Sequence, residues 1–459
     1  MARTDRPKSG AMNPHEPNDK LRKLLDDSGL TNGALAREIN NIGREAGLSL
    51  YYSRSFVTHW LSGMQPRDPV PDLVAETFTR HFDRPVTVGE TGLGPAAAAE
   101  PDRSPVAEAL SRLDVLAAAG ADPVVLDGCL YHLGALSVPD WTQVRPPPPT
   151  ANERAARVEA TELDAALTMC DFFSAADAMR GGRHARAALG AYLGTTVSRW
   201  LRADLDAATR RRMFAVASKL TYLYAFMCFD EGMHGLAQRY YLASAAMATE
   251  SGDRSGYAVS LRALSVQARY LGHLDEAVEL AESSVRSGAA PTPVQPRVQA
   301  FLHGQLAVAH AAVGDRRQAM TNLDIAESQL DSTGTDDAPV AAYHVGSLAH
   351  QLAAVAVHLG SRAAAVEALQ VSLRHRPTTE RRSRAILHAR LAEQQLAGGN
   401  LEAACETWMR FLDDYRHISS KRADSALATM HALVLPYQHH AAVKRLRHAA
   451  VSMSLRRSA

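Results

Sequence analysis

The sequence predicts an all-α chain in which a small N-terminal helical domain precedes a long right-handed solenoid of helix hairpins. Three observations carry that prediction. Alanine, the best intrinsic helix former, is abundant throughout, while β-branched runs of strand length are scarce. Near the N-terminus, apolar residues recur at helical spacing between capping and breaking residues. From about residue 152 onward a glycine-anchored pattern returns at intervals of about 40 residues.

Size and composition narrow the function classes. The 459 residues suffice for two or three domains at about 100–200 residues each, and 46% hydrophobic with 22% charged residues is a globular balance. No stretch approaches the ~18 unbroken apolar residues of a membrane span. The first twenty residues are polar and of both charge signs, without the apolar core of a secretory signal, so the expected location is cytoplasmic and no membrane partner is expected. A net charge of +1 sets up no global field toward nucleic acid. Cys129, Cys170, Cys228 and Cys405 lie at least 41 residues apart, which excludes CxxC zinc spacing and a close-spaced disulfide framework. Reduced, mostly buried thiols and no metal are expected.

Residues 1–17 read as a disordered tail. Asn18 or Asp19 caps a first helix with Leu21, Leu24 and Leu25 on one face. Ser28-Gly29 breaks it, and Thr31 caps a second helix whose stripe is Leu35, Ala36 and Ile39. After Gly47 a third helix carries Phe56, Val57, Trp60 and Leu61, and Gly63 closes it. Pro66, Pro69 and Pro71 mark a loop before an amphipathic helix with Leu73, Val74 and Phe78. The domain spans 18–93. Gly94 to Pro105 (GPAAAAEPDRSP) has linker composition, residues 106–145 read as a connector of two helices, and the prolines 146–149 place an extended linker at 146–151.

This N-terminal segment resembles the Xre/Cro-type helix-turn-helix family. LTNGALAREI at 30–39 is similar to its second helix and SRSFVTHWLSG at 53–63 to its recognition helix, with Val57, Trp60 and Gly63 meeting the motif. The stretch from Asn40 to Leu50 is longer than the usual turn, so either the second helix is extended or the turn carries an insert. The resemblance implies double-stranded DNA as partner, with the third helix in the major groove. Carried over position by position, Arg54, Ser55, Thr58 and His59 would face base edges or phosphates, and Asn32 a phosphate at a helix N-terminus. Val57 and Trp60 read as core. Residues 1–95 hold twelve basic and twelve acidic residues, which weakens nonspecific attraction, but between Glu45 and Asp68 only Arg54 and Arg67 are charged.

The C-terminal region, 152–459, repeats a glycine, a small residue five positions on and a further core residue four beyond that. The instances are Gly182/Ala187/Ala191, Gly232/Ala237/Tyr241, Gly272/Ala277/Ala281, Gly314/Ala319/Leu323, Gly360/Ala365/Leu369 and Gly399/Ala404/Trp408. Glycine ends the first helix of a pair and alanine lets the second approach closely. Each hairpin leaves an apolar face that the next must cover. GDRRQA at 314–319, GHLDEA at 272–277 and GNLEAA at 399–404 resemble the core of the tetratricopeptide repeat family, at longer spacing than its own. That resemblance implies a groove for a peptide, small molecule or protein, with Lys219, Tyr222, Asp230, Arg262, Arg269, Tyr270, His350 and His358 on first-helix positions lining it.

No phosphate-loop, nucleophile-elbow or HExxH signature occurs, so neither an enzyme nor a cofactor is expected. The whole architecture resembles helix-turn-helix/tetratricopeptide regulators of Gram-positive bacteria and large actinomycete regulators. The 44 arginines against six lysines agree with the latter. The expectation is a homodimeric transcriptional regulator of development or secondary metabolism. The alternative is a tetratricopeptide adaptor that holds another regulatory protein without binding DNA.

Overall fold

A computed structural model of the chain describes residues 16–82, 84–94, 104–119, 129–139, 141–144, 160–203, 205–289, 293–333 and 343–457. Among these residues all regular secondary structure is helical. Nearly all of the expected tail and the 94–105 linker, and the whole four-proline run, lie outside the described residues. The chain divides into two compact units, one of Met1–Pro101 with Leu130–Ala135 and the other of Asp102–Cys129 with Leu136–Ala459.

The first unit is built from α1 (Asp19–Ser28), α2 (Asn32–Glu45), α3 (Arg54–Leu61), α4 (Val70–Phe82) and the single turn α5 (Val88–Thr91). Of the two candidate caps for α1 the structure uses Asn18, whose Oδ1 accepts from the Leu21 amide at 3.0 Å. Its Nδ2 donates to the Thr91 carbonyl at 2.9 Å, so one side chain starts α1 and holds the end of the unit. Gly29 leaves α1 in the left-handed conformation, and the Thr31 hydroxyl caps α2 through the Ala34 amide. The long stretch after Asn40 resolves into an extended α2 and a connection from Ala46 to Ser53. Asn40 fastens that connection by bonding both the amide and the carbonyl of Tyr52, at 2.8 and 2.9 Å. Pro71, expected in a loop, sits in the first turn of α4, where a missing N–H removes no intrahelical bond.

The core of this unit joins Leu21, Leu35, Ile39, Val57, Trp60, Leu73 and Phe78 from α1 to α4. Residues 130–135 pack onto it. Buried Glu76 accepts from the Leu133 amide and pairs with His132 at 2.8 Å and with Arg80 at 2.9 Å. Burial pushes the Glu76 carboxyl up, but the hydrogen bonds from His132 and Arg80 outweigh it and hold the group below its ordinary value. Arg80 in turn bridges to Glu45 at the end of α2.

The second unit begins with α6 (Pro105–Ala119). The first part of the expected second connector helix, residues 120–128, lies outside the described residues; beyond it short 3-10 turns occur at Leu133–Leu136, whose first three residues belong to the first unit, and at Trp141–Gln143. Then follow α7 (Ala160–Arg180), α8 (Gly182–Tyr192), a π-helical bulge (Leu193–Val197) and α9 (Ser198–Arg202). The hairpins come next. They are α10 (Ala207–Asp230) with α11 (His234–Ser251), α12 (Arg254–Leu271) with α13 (Leu274–Ala289), and α14 (Pro296–Ala312) with α15 (Arg316–Asp331). After these come α16 (Val345–His358) with α17 (Arg362–His375), α18 (Arg381–Ala397) with α19 (Leu401–Tyr415), and α20 (Lys421–Val434) with α21 (Ala441–Arg457). Helices pack in adjacent pairs and each pair stacks on the next.

Five hairpin turns follow the repeat rule. Gly232, Gly272, Gly314, Gly360 and Gly399 all have φ between +73° and +93°, a region where a side chain is strained. Five residues on, Ala237, Ala277, Ala319, Ala365 and Ala404 are each fully buried. Four beyond those, Tyr241, Ala281, Leu323, Leu369 and Trp408 are buried as well. The first instance departs from the rule. Gly181, not Gly182, takes the left-handed conformation, and the buried positions of α8 are Ala185 and Leu189 while Ala187 and Ala191 face solvent.

A stacked array ordinarily has contacts only between neighbours. Here the far end of the stack returns to its beginning. The Ser419 amide donates to the Arg180 carbonyl at 2.7 Å, and the Arg183 amide to the Ser419 carbonyl at 3.3 Å. Asp230, at the end of α10, accepts from the Gly182 amide and from the Ser420 hydroxyl. Arg382 on α18 reaches Asp177 on α7 at 2.5 Å, and Arg183 reaches Glu231. A Cβ at Gly181 would collide with the Ser419 carbonyl oxygen, so glycine is needed there for space as well as for φ.

Candidate functional site

Two surfaces gather the residues singled out in the sequence. On the first unit, Val57 and Trp60 anchor α3, at 0% and 2% exposure, and its opposite face points outward. Arg54, Ser55, Thr58 and His59 are exposed on that face, at spacings of one, four and five residues that share one side of a helix. Arg67 is exposed in the segment that follows. The N-terminus of α3 has no side-chain cap hydrogen bond, and the Ser53 and Ser55 hydroxyls bond each other at 2.7 Å. Phe56 is 44% exposed and meets Tyr52 edge-on at 5.1 Å, while Tyr52 also meets Trp60, so an aromatic brace sets the tilt of α3.

Asn32 and Thr58 are tied to each other. The Asn32 amide donates to the Thr58 hydroxyl at 3.3 Å, and that hydroxyl donates to the Arg54 carbonyl at 3.0 Å. These bonds brace the start of α2 against α3. They leave Thr58 with its methyl group and acceptor capacity for an outside partner, whereas Arg54 and His59 extend their ring and guanidinium donors into solvent.

In the second unit, first helices of separate hairpins meet around a common interior. Arg262 on α12 stacks on the Phe301 ring of α14 at 3.4 Å and donates to the Phe301 carbonyl. Tyr222 of α10 lies against the same guanidinium. Arg390 on α18 bonds His350 of α16 at 3.0 Å. Arg422 on α20 lies over the Phe229 ring of α10, which also meets Tyr270 and His234 edge-on. Arg269 of α12 has its Nε buried with no hydrogen-bond partner among the described residues.

These guanidinium groups repel one another. Burial, with Arg390, Arg422 and Arg262 nearby, pulls Arg269 down to about 10. Burial and Arg422 lower Arg390, with partial relief from Glu393. Burial, then the charges of Arg390, Arg376, Arg422 and Arg269, hold His350 well below its ordinary value and therefore neutral at pH 7.

Of the expected groove residues, Tyr222, Arg262, Arg269, Tyr270 and His350 come together here, and His358 is drawn down by Arg269 and Arg390 after burial. Lys219 is exposed beside Cys170 of α7. Asp230 lies 3.9 Å from Arg422 of this cluster. It is fully buried and occupied by the Gly182 and Ser420 contacts that close the stack. Arg390 and Arg422 were absent from the sequence reading. Counting ten residues back from the hairpin glycine gives Tyr222, Arg262 and His350, and nine back from Gly399 gives Arg390, so register from the glycines points to it. Arg422 belongs to the last hairpin, whose turn at Leu435–Tyr437 has no glycine to count from.

A separate cavity of about 510 Å³ between α17, α18 and α19 is also arginine-lined, by Arg374, Arg384 and Arg410, but Asp413 and Asp414 share it. Arg384 pairs with Asp414 at 3.2 Å, so charge there is met within the cavity.

No helix among the described residues is long and apolar enough to cross a membrane. No curated protein matches the chain. Residues 21–94, which hold α2 to α5 and nearly all of α1, match the family model described as the SP15 N-terminal domain.

Proposed function

We propose that the chain is a sequence-specific DNA-binding transcriptional regulator. The first unit lays α3 in a major groove and the second unit senses a ligand or partner. The observation that carries this reading is the face of α3. Arg54, Ser55, Thr58 and His59 stand outward from a helix whose other side is fixed by Val57 and Trp60, within a stretch from Ala46 to Arg67 that contains no acidic residue. Arg54, at the first helical position, suits a bidentate contact with a guanine edge, worth about 1–3 kcal/mol of discrimination. The uncapped amides at the start of α3 and the short Asn32–Thr58 tie suit approach of a phosphate between α2 and α3. A homodimer supplies the two half-sites that such helices read at about 34 Å spacing.

The twelve-against-twelve charge balance of residues 1–95 favours the adaptor reading as the competitor. Selection of bound fragments from sheared genomic DNA by the full-length protein, at two salt concentrations, separates the two. Enrichment of a common palindromic site that Arg54→Ala abolishes, with helicity unchanged, is the expected result. Sequence specificity retained by Arg54→Ala sinks the assignment of α3 as the reading helix, and no enrichment at low salt by the full-length chain favours the adaptor.

A further inference from the structure

We propose that the interior of the second unit is a receptor for a small polyanion bearing two or more phosphoryl groups, held by Arg262, Arg269, Arg390 and Arg422. The inference names the ligand class for the sensing role given to this unit and stands independently of DNA binding, since its test contains no DNA. Three features of the site converge on it. The four guanidinium groups come from α12, α18 and α20, helices of three different hairpins, so packing alone does not require them to face one another. They are partly withdrawn from water, and three of them are supported by something other than a carboxylate at bonding distance: a ring and a carbonyl for Arg262, a neutral imidazole for Arg390, a ring for Arg422. For Arg422 the Asp230 carboxylate is 3.9 Å away and already bonded to Ser420 and Gly182. The Arg269 Nε is buried with no hydrogen-bond partner among the described residues, an arrangement that a ligand oxygen would complete.

Unmet buried donors and mutually repelling cations are unfavourable in the free protein, and an anion reverses both effects at once. The donor set selects the anion. Guanidinium forks match tetrahedral oxyanions with two parallel N–H···O bonds, and a phosphoryl group concentrates nearly two charges where a carboxylate brings one. Tyr270, 48% exposed beside Phe229, adds an aromatic face at the edge of the cluster on which a base could stack.

The test is isothermal titration of the full-length protein with inorganic tripolyphosphate and, separately, with ATP, both without magnesium. One site per chain is expected, with affinity falling at least about tenfold in Arg269→Met and in Arg390→Met, the loss of one charge-assisted hydrogen bond. ATP binding more tightly than tripolyphosphate supports a nucleotide ligand, and equal affinities support recognition of the phosphates alone. Absence of binding by both probes overturns the proposal, as does wild-type affinity in both variants. Melting of the ligand-free variants guards against a folding artefact: a receptor arginine should leave the melting temperature unchanged or raised on replacement by Met, and a fall of several degrees in both variants marks the cluster as structural and overturns the assignment.

Discussion

Arg382 on α18 and Arg269 on α12 both lie on first helices of hairpins, and both are largely withdrawn from water, yet the fold treats them in opposite ways. Arg382 meets Asp177 at 2.5 Å and has Asp230 at 3.9 Å, and these carboxylates raise its pKa against the effect of burial. Arg269 has no such neighbour among the described residues, and burial with three nearby guanidinium groups pulls it down to about 10. Arg382 is the more buried of the two, and it is the one that is paired. A buried paired cation cannot lose its partner without heavy cost, while a buried unpaired cation already carries the cost in the native state. Paired Arg382 closes the stack on itself, and Arg269 belongs to the cluster proposed to receive a ligand. Stability and binding are thus assigned to different arginines of the same unit.

Breaking the closing contacts should have the largest effect. Arg382→Met leaves Asp177 buried without its cation and should cost about 3–5 kcal/mol, read as a lowered midpoint in urea unfolding. Gly181→Ala is next, because the residue sits at φ +85° and its Cβ would strike the Ser419 carbonyl. A loss above about 1 kcal/mol is expected, and the same substitution at Gly252, whose Cβ meets open space, should cost less. Arg269→Met should shift stability the other way, by about +1 kcal/mol, since an apolar side chain of similar length replaces an uncompensated charge.

Acid sharpens the same comparison. His350 is neutral in the folded chain because its pKa is depressed, while in the unfolded chain it titrates near 6.5. The unfolded state therefore binds the extra proton first as pH falls. Stability is full above about pH 6.5 and declines below it, by up to about 1.4 kcal/mol per pH unit, until the folded pKa is reached. Urea midpoints measured from pH 7 to 5 should show this decline, and His350→Gln should flatten it. The smallest stability effect belongs to the first unit, where exposed Arg54→Ala should change folding by no more than about 0.5 kcal/mol.

Local chemistry was the legible part of this molecule. Asn18, Gly29 and Thr31 delimit α1 and α2 through bonds to residues within three positions, and such caps are visible in a linear sequence. Five hairpin glycines were readable because each must adopt positive φ while an alanine five residues later packs against its partner helix. At Gly181-Gly182 the left-handed glycine comes one residue, and the buried Ala185 and Leu189 two residues, before the positions the rule gives; two adjacent glycines offer the same local freedom, and contact with Ser419 decides between them. The closing contacts were illegible for a related reason. Arg382 and Asp177 are 205 residues apart, and no periodic pattern links them. Asp230 fits the groove by register, but its bonds to the Gly182 amide and the Ser420 hydroxyl at the end of α10, where the stack closes, have no signature in the linear sequence. The return of residues 130–135 to the first unit depends on buried Glu76, which reads as an ordinary helix-surface acid until His132 and the Leu133 amide are seen against it.

The most direct measurement is a parallel urea unfolding of Arg382→Met and Arg269→Met against the parent chain at pH 7 without added anions. Separate roles for paired and unpaired arginines predict opposite signs, a midpoint well below the parent for Arg382→Met and one at or above it for Arg269→Met. Equal destabilisation of both variants would contradict the account, because it would show that the interior arginines hold the stack together as the closing arginines do.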